Sequence, residues 1–584
     1  MKKTFSLNTN HQLIILLLLA FSLNINTLFN KYTLDDSVVM TENRLVEKGV
    51  KGIPEILTTD LYYGTSDSTS ALSEARYRPF SLAVFAIEHQ FFGENPFVSH
   101  LINVLLFALL ITLLFRLLQA FIFREQHHYL AFFTCILFVV HPIHTEVIAS
   151  VKSRDELITY ILLVVSLLFL LKHIQKPATA KLIISLLCFF LALLTRESAI
   201  TYIAIAPLVL YFFFNRSIKQ SLLTATSLFV VTIFYLGLRF YILKNSHSAG
   251  ILNVFDSPFL FANSSEALAT KFFILLKYLG LLFFPHPLSW DYGYNQIPYI
   301  GINSFRFILS FTLLTYLMIF AILTFNRKSI FSFCILYFFI TISLCSNISV
   351  DIGTPLSERL LFQPSLAFCI VIASLYIQLS MKFKLVANTF LLVILLLFCL
   401  KTVIRNADWK NNETLFLTDV ISSPNSIRTN NTVASIYLSK AQTENSIELK
   451  NEYFKKTISY CEKTIKICPT IPEPYVTLGT VYYLLSDYNK ATNFLTKAYQ
   501  LEPTAPCSKV AISALSNIYF NEGNRLYRGG GEPKEAIRNY LMSIEFNKSN
   551  IDAWYNLSKC YSFINDTKNA EIAKLNALKL EPKY

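Results

Sequence analysis

The fold of this chain is set by an apolar run, Leu13-Ile-Ile-Leu-Leu-Leu-Leu-Ala-Phe21, and by the polar stretch after it, Lys31-Tyr-Thr-Leu-Asp-Asp-Ser37. The apolar run continues to Leu28, so its helix is long enough to cross most of a bilayer. Met1-Lys2-Lys3 precede it and no small-residue cleavage site follows, which predicts an uncleaved signal anchor with a cytoplasmic lysine end. Asp35 and Asp36 are therefore expected close to the membrane surface.

Two adjacent carboxylates at this position have two interpretations. Asp before an amphipathic stretch commonly caps a helix. Alternatively, an enzyme with one lipid and one water-soluble substrate needs a general base at the lipid–water boundary, and the second carboxylate would orient the acceptor or help to bind a cation. Residues Asp35 and Asp36 alone do not decide between these interpretations.

The composition indicates a polytopic membrane protein, since 53% of the 584 residues are hydrophobic and 51 are Phe. The net charge of +13 does not indicate nucleic acid binding, because most Lys and Arg residues fall in short loops between apolar stretches. In such loops they act as topology determinants. The ten Cys residues form no CxxC pair and no metal-binding spacing. The sequence does not decide whether a disulfide forms in the polar part of the chain, among Cys461, Cys468, Cys507 and Cys560.

Apolar stretches follow one another as far as residue 404. One of them, 268–285, carries Lys271 and Lys277, and the basic loops alternate between the two sides only if it re-enters the membrane or lies along its outer face. This predicts about eleven crossings, an outer loop over 30–96 with a surface helix in it, and a C-terminal part on the outer side. The other predicted stretches are 97–121, 129–149, 156–172, 181–195, 198–214, 220–243, 304–325, 330–346, 359–380 and 385–404.

From about Trp409 the composition becomes polar and an internal repeat begins, which predicts a membrane domain over 1–408 and a second domain over 409–584. The spacing fits the tetratricopeptide pattern in about three to four units. Such units stack into an α-solenoid whose concave face binds an extended peptide or a partner protein. A rigid spacer without a ligand is the alternative. The clearest unit comprises Tyr475, Leu478, Gly479, Tyr482, Ala491, Leu495, Ala498 and Pro503, and the same spacing recurs from Trp554 to Pro582.

Ionisable residues near membrane stretches suggest function. The stretch His141-Pro-Ile-His144-Thr-Glu146 is interpreted as a polar wall that binds a phosphate or sugar, or as a helix end held by hydrogen bonds. The histidine spacing is a weak indication of zinc. Arg154, Arg196 and Arg359 are suited to grip a lipid phosphate with a forked guanidinium, although pairing within Arg196-Glu197 and Glu358-Arg359 would simply satisfy those charges.

Together these motifs resemble the transmembrane and tetratricopeptide-repeat protein O-mannosyltransferases, in order and over nearly the whole chain. Arg196, where Lys is expected, Gln363, where an aromatic residue is usual, and a shorter repeat array are the departures. The motifs that carry the resemblance are Asp35-Asp36, Tyr77-Arg78-Pro79, His141 to Glu146, Arg154-Asp155, Thr195-Arg-Glu197, Ser289-Trp-Asp-Tyr292, Glu358-Arg359 and Arg405-Asn-x-x-Trp409.

The resemblance implies a C-type glycosyltransferase fold and inverting transfer of a sugar, here mannose, from a polyprenyl-phosphate carrier. Asp35 and Asp36 would be catalytic, with one of them taking the proton from an acceptor Ser or Thr hydroxyl. No metal cofactor is expected, because one acidic pair is thin ligation for a metal, although some related enzymes use a divalent ion there. The expected donor-side residues are Arg78, His141, His144, Glu146, Lys152, Arg154, Asp155, Arg196, Glu197, Glu358 and Arg359.

Two alternatives remain at the level of sequence. In the first, the chain is an enzyme whose acceptor is a glycolipid or cell-wall polymer. In the second, the chain is a non-catalytic membrane scaffold that recruits partners through its repeats. The expected partners of an enzyme are the lipid-linked sugar, acceptor proteins held by the repeats and the bilayer, but no nucleic acid. The Lys/Asn/Ile-rich style suggests a bacterial inner membrane with a periplasmic active site; the counterpart in a eukaryote is the lumen of the endoplasmic reticulum.

Overall fold

A computed structural model of the chain describes residues 8–65, 76–123, 129–244, 253–529 and 532–581. Met1-Lys2-Lys3 and Pro582 lie outside the described residues. Within these ranges the secondary structure is helical apart from an isolated bridge between Asn43 and Thr65, which confirms the predicted mainly-α class. The chain divides into two compact units, 1–423 and 424–584.

The first unit contains eighteen α-helices in its described residues. Six short 3₁₀ segments and a π-helical turn over Leu118–Ile122 connect or extend them. The α-helices are Thr9–Ser22, Asp36–Val39, Arg44–Glu47, Ile53–Ile56, Pro79–Phe92, Pro96–Leu117, Leu130–Val140, Thr145–Ala149, Arg154–Gln175, Thr179–Thr195, Tyr202–Phe213, Ile218–Leu243, Ser264–Phe283, Phe305–Leu323, Ile330–Ile342, Ser365–Lys382, Lys384–Asp408 and Asn412–Ser422.

Of the eleven or so predicted membrane crossings, seven or eight correspond to described helices that are long and apolar enough to span. In the described part of the chain, seven helical segments are long and apolar enough to span, and a bent pair, Leu130–Val140 with Pro142–Ala149, is an eighth candidate. Three shorter apolar helices bring the total to eleven, and Ser264–Phe283, which was not expected to cross, is not among them. The seven are Thr9–Phe29, Pro96–Ile122, Arg154–Gln175, Ile218–Leu243, Phe305–Leu323, Ser365–Lys382 and Lys384–Asp408; the three are Thr179–Thr195, Glu197–Phe213 and Ile330–Cys345.

The predicted outer loop folds around the helix Pro79–Phe92. Leu82 and Phe85 on one face of this helix pack against Val39, Leu45 and Ile56 of the short helices before it. At the C-terminal end of the helix, aromatic side chains are exposed. Burial of one apolar face gives the loop its own small core, so the segment that carries Asp35 and Asp36 is held by packing as well as by polar contacts.

The structure places the division between the units at 423/424 instead of 408/409. The Arg405 guanidinium makes a bidentate pair with Asp419, at 2.5 and 2.9 Å, and Asp419 also accepts a hydrogen bond from the Trp290 N–H at 2.6 Å. Trp409 is buried. The polar composition after residue 408 suggested a domain boundary, but these contacts keep the first polar helix in the membrane unit.

The described residues of the second unit form four helix pairs, in agreement with the predicted number of repeats. Ala491, Leu495 and Ala498 form the apolar seam of the second pair, and a Cβ at Gly479 would lie 2.5 Å from Leu495 Cγ, so this position needs glycine. All ten cysteines are free, so no disulfide joins those in this unit. The helices are Ile427–Thr443, Ile447–Ile467, Glu473–Leu484, Tyr488–Leu501, Pro506–Arg528, Pro533–Phe546, Ile551–Phe563 and Thr567–Leu580.

Candidate active site

The two adjacent carboxylates lie in different surroundings, and Asp36 is the buried one. Its Oδ1 accepts hydrogen bonds from the Lys152 N–H at 2.8 Å and the Ser150 hydroxyl at 3.1 Å, and its Oδ2 accepts one from the Thr33 N–H at 3.0 Å. Burial raises the pKa of Asp36 to about 6, although these hydrogen bonds oppose the shift. Asp36 therefore fastens the outer loop to the turn around residues 150–152.

Asp35 is the accessible carboxylate, because 56% of its side chain is exposed. Its Oδ2 lies 3.3 Å from the ammonium Nζ of Lys152, whose own side chain is only 5% exposed. Burial lowers the pKa of Lys152 to about 8, and the neighbouring Asp35 carboxylate opposes that change. A substrate hydroxyl can reach Asp35 directly, whereas it cannot reach Asp36 without displacing protein.

Arg78 and Arg196 belong to a buried ion-pair cluster. Asp155 lies between them, with its carboxylate 2.8 Å from Arg78 Nη1 and 3.2 Å from Arg196 Nη1. Glu197 pairs with Arg78 at 2.9 Å, and Glu156, which the sequence analysis did not select, pairs with Arg196 at 3.0 Å. Much of the positive charge of these two arginines is therefore balanced by their own partners.

Arg359 is oriented by Glu146. The Glu146 carboxylate accepts a hydrogen bond from the Arg359 backbone N–H at 3.0 Å and lies 3.3 Å from its Nη1. The Arg359 side chain keeps 25% of its area exposed. After Glu146, Asp35 is the carboxylate with the strongest electrostatic effect on Arg359. Arg359 thus senses the charge of Asp35, and it also lines a polar cavity.

Glu358, next in the chain, takes part in a different set of contacts. It accepts hydrogen bonds from the Ser289 N–H at 2.5 Å and the Tyr292 hydroxyl at 2.8 Å. Burial raises the pKa of Glu358 to about 8, which leaves it largely protonated at neutral pH. The structure therefore brings Glu358 to the Ser289–Tyr292 turn, and Glu358 does not line the cavity that Arg359 lines.

Three further predicted residues are enclosed by protein. His141 Nε2 lies 3.0 Å from the Leu282 carbonyl and His144 Nε2 lies 2.8 Å from the Ser365 hydroxyl, and both rings pack among phenylalanines. Arg154 has no exposed surface, stacks over Phe85, and donates to Glu88, Asn103 and the Ser99 carbonyl. In the parts of the chain that the structure describes, no three His, Cys, Asp or Glu side chains are grouped as metal ligands.

An arginine-rich cavity of about 280 Å³ lies beside this cluster and is called the arginine cavity below. Arg76 and Arg239 line it together with the predicted Arg78, Arg196 and Arg359. No described carboxylate forms an ion pair with Arg76 or Arg239. Two buried nitrogens, Arg239 Nε and Arg359 Nε, have no hydrogen-bond partner among the described residues. Among the described residues, the cavity therefore has guanidinium groups without a carboxylate partner, and such groups suit an anion.

Sequence reasoning overlooked Arg239 although a signal was present. It lies within the apolar stretch 220–243, and an ionisable residue in such a stretch is a functional candidate by default. Tyr235 and Ser198, whose buried hydroxyls also have no partner in the described structure, line the same cavity. Arg76 directly precedes the Tyr77-Arg78-Pro79 motif, from which only Arg78 was selected.

The fold and this site define a class: a polytopic helical membrane protein with an exposed carboxylate and an arginine-lined cavity, followed in the chain by helical repeats. A tetratricopeptide-repeat family pattern matches residues 472–504 and 551–584. Among curated proteins, the human protein O-mannosyl-transferase TMTC3 is 23% identical and covers 96% of this chain and 67% of its own length. Protein O-mannosyl-transferase F38B6.6 of Caenorhabditis elegans is 27% identical and covers 69% of this chain and 56% of its own length.

Human protein O-mannosyl-transferase TMTC2 is 26% identical over 70% of this chain and 58% of its own length. The resemblance to TMTC-type protein O-mannosyl-transferases is therefore confirmed. The names of these relatives are those of glycosyltransferases. The chain spans 56% to 67% of the length of these three relatives. Among solved structures, the crystal structure of MamA covers 29% of this chain and 86% of its own, at 18% identity and a TM-score of 0.21.

Proposed function

We propose that this protein is an integral membrane glycosyltransferase that moves mannose from a polyprenyl-phosphate carrier to Ser or Thr of proteins, with inversion at the anomeric carbon. The observation that carries the proposal is an exposed carboxylate, Asp35, in a membrane unit whose arginine cavity is lined by five arginines, Arg359 among them. The names of the matched relatives support mannosyl transfer. The polyprenyl carrier is inferred from a cavity for an anion in a unit rich in apolar membrane helices.

On the acceptor side, Asp35 acts as the general base. Its carboxylate takes the proton of a Ser or Thr hydroxyl while that oxygen attacks the anomeric carbon from the face opposite the phosphate. The bond between the anomeric carbon and the phosphate oxygen breaks, and its electron pair stays on the phosphate. Lys152 holds the Asp35 carboxylate in position, and Asp36 holds the backbone of the loop.

On the donor side, cationic groups stabilise the charge that develops on the leaving phosphate. We assign this role to Arg76, Arg239 and Arg359, because the first two have no described carboxylate partner and the third has only Glu146. Arg78, Arg196 and Glu197 line the same cavity, and Asp155 pairs with both of these arginines. Guanidinium groups supply the positive charge that a divalent ion would otherwise provide, so we propose a reaction without a metal cofactor.

For the repeat unit we propose that it binds acceptor proteins, in keeping with tetratricopeptide solenoids as protein-binding surfaces. Asp35 and the repeats would then share the outer side of the membrane. The side is a prediction from the basic loops. The inner membrane of a bacterium, where the outer side is the periplasm, is a prediction from the Lys/Asn/Ile-rich style of the sequence.

The test is a transfer assay with the full chain in nanodiscs, polyprenyl-phosphate [³H]mannose and extracted exported proteins. The Asp35→Asn variant should transfer label to Ser and Thr about 10² to 10⁴ times more slowly than wild type. Glu42→Gln is the matched control, because Glu42 is an exposed carboxylate on the same loop, and it should leave the rate unchanged. Full activity of Asp35→Asn would remove Asp35 from the chemistry. Absence of label in wild type with every carrier tried would overturn the activity itself.

A further inference from the structure

Two cations lie around one aromatic ring, outside the arginine cavity and on two helices that pack together. Lys277 belongs to Ser264–Phe283, and Arg306 belongs to Phe305–Leu323. The Lys277 Nζ lies 5.2 Å from the centre of the Phe273 ring, and the Arg306 guanidinium carbon lies 5.6 Å from the centre of the same ring. These two side chains are called the Lys277–Arg306 pair below.

The Lys277–Arg306 pair has no carboxylate partner among the described residues, and both side chains are exposed. Partial burial lowers the pKa of Lys277, and the positive charge of Arg306 lowers it further. Lys271 on the same helix is the contrast, because its Nζ lies 2.7 Å from the Asp351 carboxylate. The helix therefore carries one cation that is balanced within the protein and one that faces a second positive charge.

The pair is placed where lipid headgroups lie. Phe305–Leu323 is long and apolar enough to span a membrane, and Arg306 is in its first turn, so the guanidinium is expected at the boundary between hydrocarbon and headgroups. The neighbouring Phe305 and Ile308 side chains are exposed, as they are where lipid surrounds a helix. A ligand for the pair therefore approaches from the bilayer.

We infer that the Lys277–Arg306 pair binds the phosphate of an anionic membrane phospholipid. The guanidinium donates two parallel hydrogen bonds to phosphate oxygens, and the ammonium donates a third. In phosphatidylglycerol the phosphate charge has no counter-charge within the headgroup. The choline of phosphatidylcholine carries a positive charge that the pair repels, so the site selects the anionic lipid. This inference does not rest on the proposed transfer reaction.

A lipid bound at the pair would also hold the helix Ser264–Phe283 in place. Tyr278, next to Lys277, is buried, and its hydroxyl accepts a hydrogen bond from the Ser357 N–H at 3.0 Å. The helix therefore supports the loop that precedes Arg359. We expect the anionic lipid to raise the temperature of thermal unfolding, because a ligand that binds only the folded state stabilises that state.

The experiment measures lipid binding by native mass spectrometry, with the full chain delipidated in detergent and then given phosphatidylglycerol or phosphatidylcholine. Each cation should contribute about fivefold to the affinity for phosphatidylglycerol, and the two together roughly thirtyfold. Lys277→Met combined with Arg306→Met should therefore bind both lipids equally. Lys271→Met is the matched control and should keep the preference, since its charge is already balanced by Asp351.

Several outcomes would overturn the inference. Equal binding of the two lipids by wild type is one, and an unchanged preference in a double variant that thermal unfolding shows to be folded is another. An equal loss in Lys271→Met would show that only the net charge matters. Displacement of phosphatidylglycerol by millimolar inorganic phosphate would identify a site for free phosphate in place of a lipid.

Farnesyl phosphate, a short-chain analogue of the carrier, separates the pair from the donor site. In nanodiscs that contain excess phosphatidylglycerol, the double variant should bind farnesyl phosphate as tightly as wild type does, since the pair does not line the arginine cavity. Weaker binding would place the pair in the donor site and overturn the inference. If wild type binds no farnesyl phosphate but prefers phosphatidylglycerol, the proposed carrier is rejected and the lipid site is kept.

Discussion

The membrane unit and the repeat unit distribute polar and apolar side chains in opposite ways. In the membrane unit, Arg154 and Arg405 are fully buried while Leu385 and Phe305 are exposed to more than three quarters of their area. In the repeat unit, small and medium apolar residues form the interior and ion pairs such as Lys456–Glu452 lie on the surface. Lipid solvates apolar side chains and water solvates charges. Each unit therefore exposes the kind of side chain that its own surroundings solvate.

The comparison indicates where each unit is vulnerable. A buried charge is stable only with its partners, and removing one partner leaves the other unpaired in a medium of low polarity. A repeat seam depends on close packing, and removing buried atoms leaves a cavity. Charge substitutions should therefore damage the membrane unit, and large-to-small substitutions the repeat unit.

Arg154→Met should have the largest effect on stability. It leaves Glu88 buried without its guanidinium partner, and such losses cost about 3 to 5 kcal/mol. We expect a large fall in the temperature of thermal unfolding in detergent. Arg154→Met combined with Glu88→Gln should recover part of the loss, because the unpaired charge is gone. The control is Lys456→Met in the repeat unit, whose exposed pair should contribute nothing measurable. Equal effects of Arg154→Met and Lys456→Met would contradict the comparison.

Leu495→Ala should destabilise the repeat unit by about 2 to 5 kcal/mol, since it empties a fully buried position of the seam. Hydrogen exchange of the full chain should show faster exchange in the repeat helices, with the membrane helices unchanged. Binding of farnesyl phosphate should persist while transfer to protein acceptors falls. Leu575→Ala is the control, because half of the Leu575 side chain is exposed. Loss of carrier binding in Leu495→Ala would argue against separate roles for the units.

Lys152 should make carrier binding depend on pH. Its pKa is lowered to about 8, so its positive charge is present below pH 8 and is lost as the pH rises through that value. Affinity for farnesyl phosphate should fall several-fold between pH 7 and pH 9 in wild type, because Lys152 is electrostatically coupled to Arg359 and Arg78 of the arginine cavity and its positive charge disappears. Lys152→Met should bind more weakly at pH 7 and show little further fall. An identical pH profile in both proteins would exclude Lys152 from the anion site.

Glu358→Gln should have the smallest effect. With a pKa of about 8 the carboxyl group is mostly neutral at pH 7, and an amide preserves its acceptor oxygen, so we expect a change below about 1 kcal/mol. The sign of the pH dependence is a further check. The pKa is raised on folding from 4.5 to about 8, so the wild type loses stability relative to the variant as the pH rises across that range. A strongly destabilised variant at pH 7 would mean that Glu358 is charged there.

Local patterns explain why much of the architecture was predictable. Hydrophobic stretches and the tetratricopeptide spacing depend on residues that are close together in the chain. The candidate crossings and the four helix pairs therefore follow from them. The candidate site was predictable in part. Asp155, Arg196 and Glu197 do lie together, but Arg154, only one position from Asp155, points into protein and Arg239 was overlooked.

By itself, the sequence determined a membrane bundle with a carboxylate pair after its first helix, and a repeat solenoid that follows the bundle in the chain. Only the tertiary structure decided that Asp36 is buried and Asp35 exposed, that Arg76 and Arg239 join the cavity, and that the first unit extends to residue 423. The reason is physical. The environment of a charged side chain is made by groups far away in the chain, as Lys152 is from Asp35, whereas helix formation and repeat spacing depend on near neighbours.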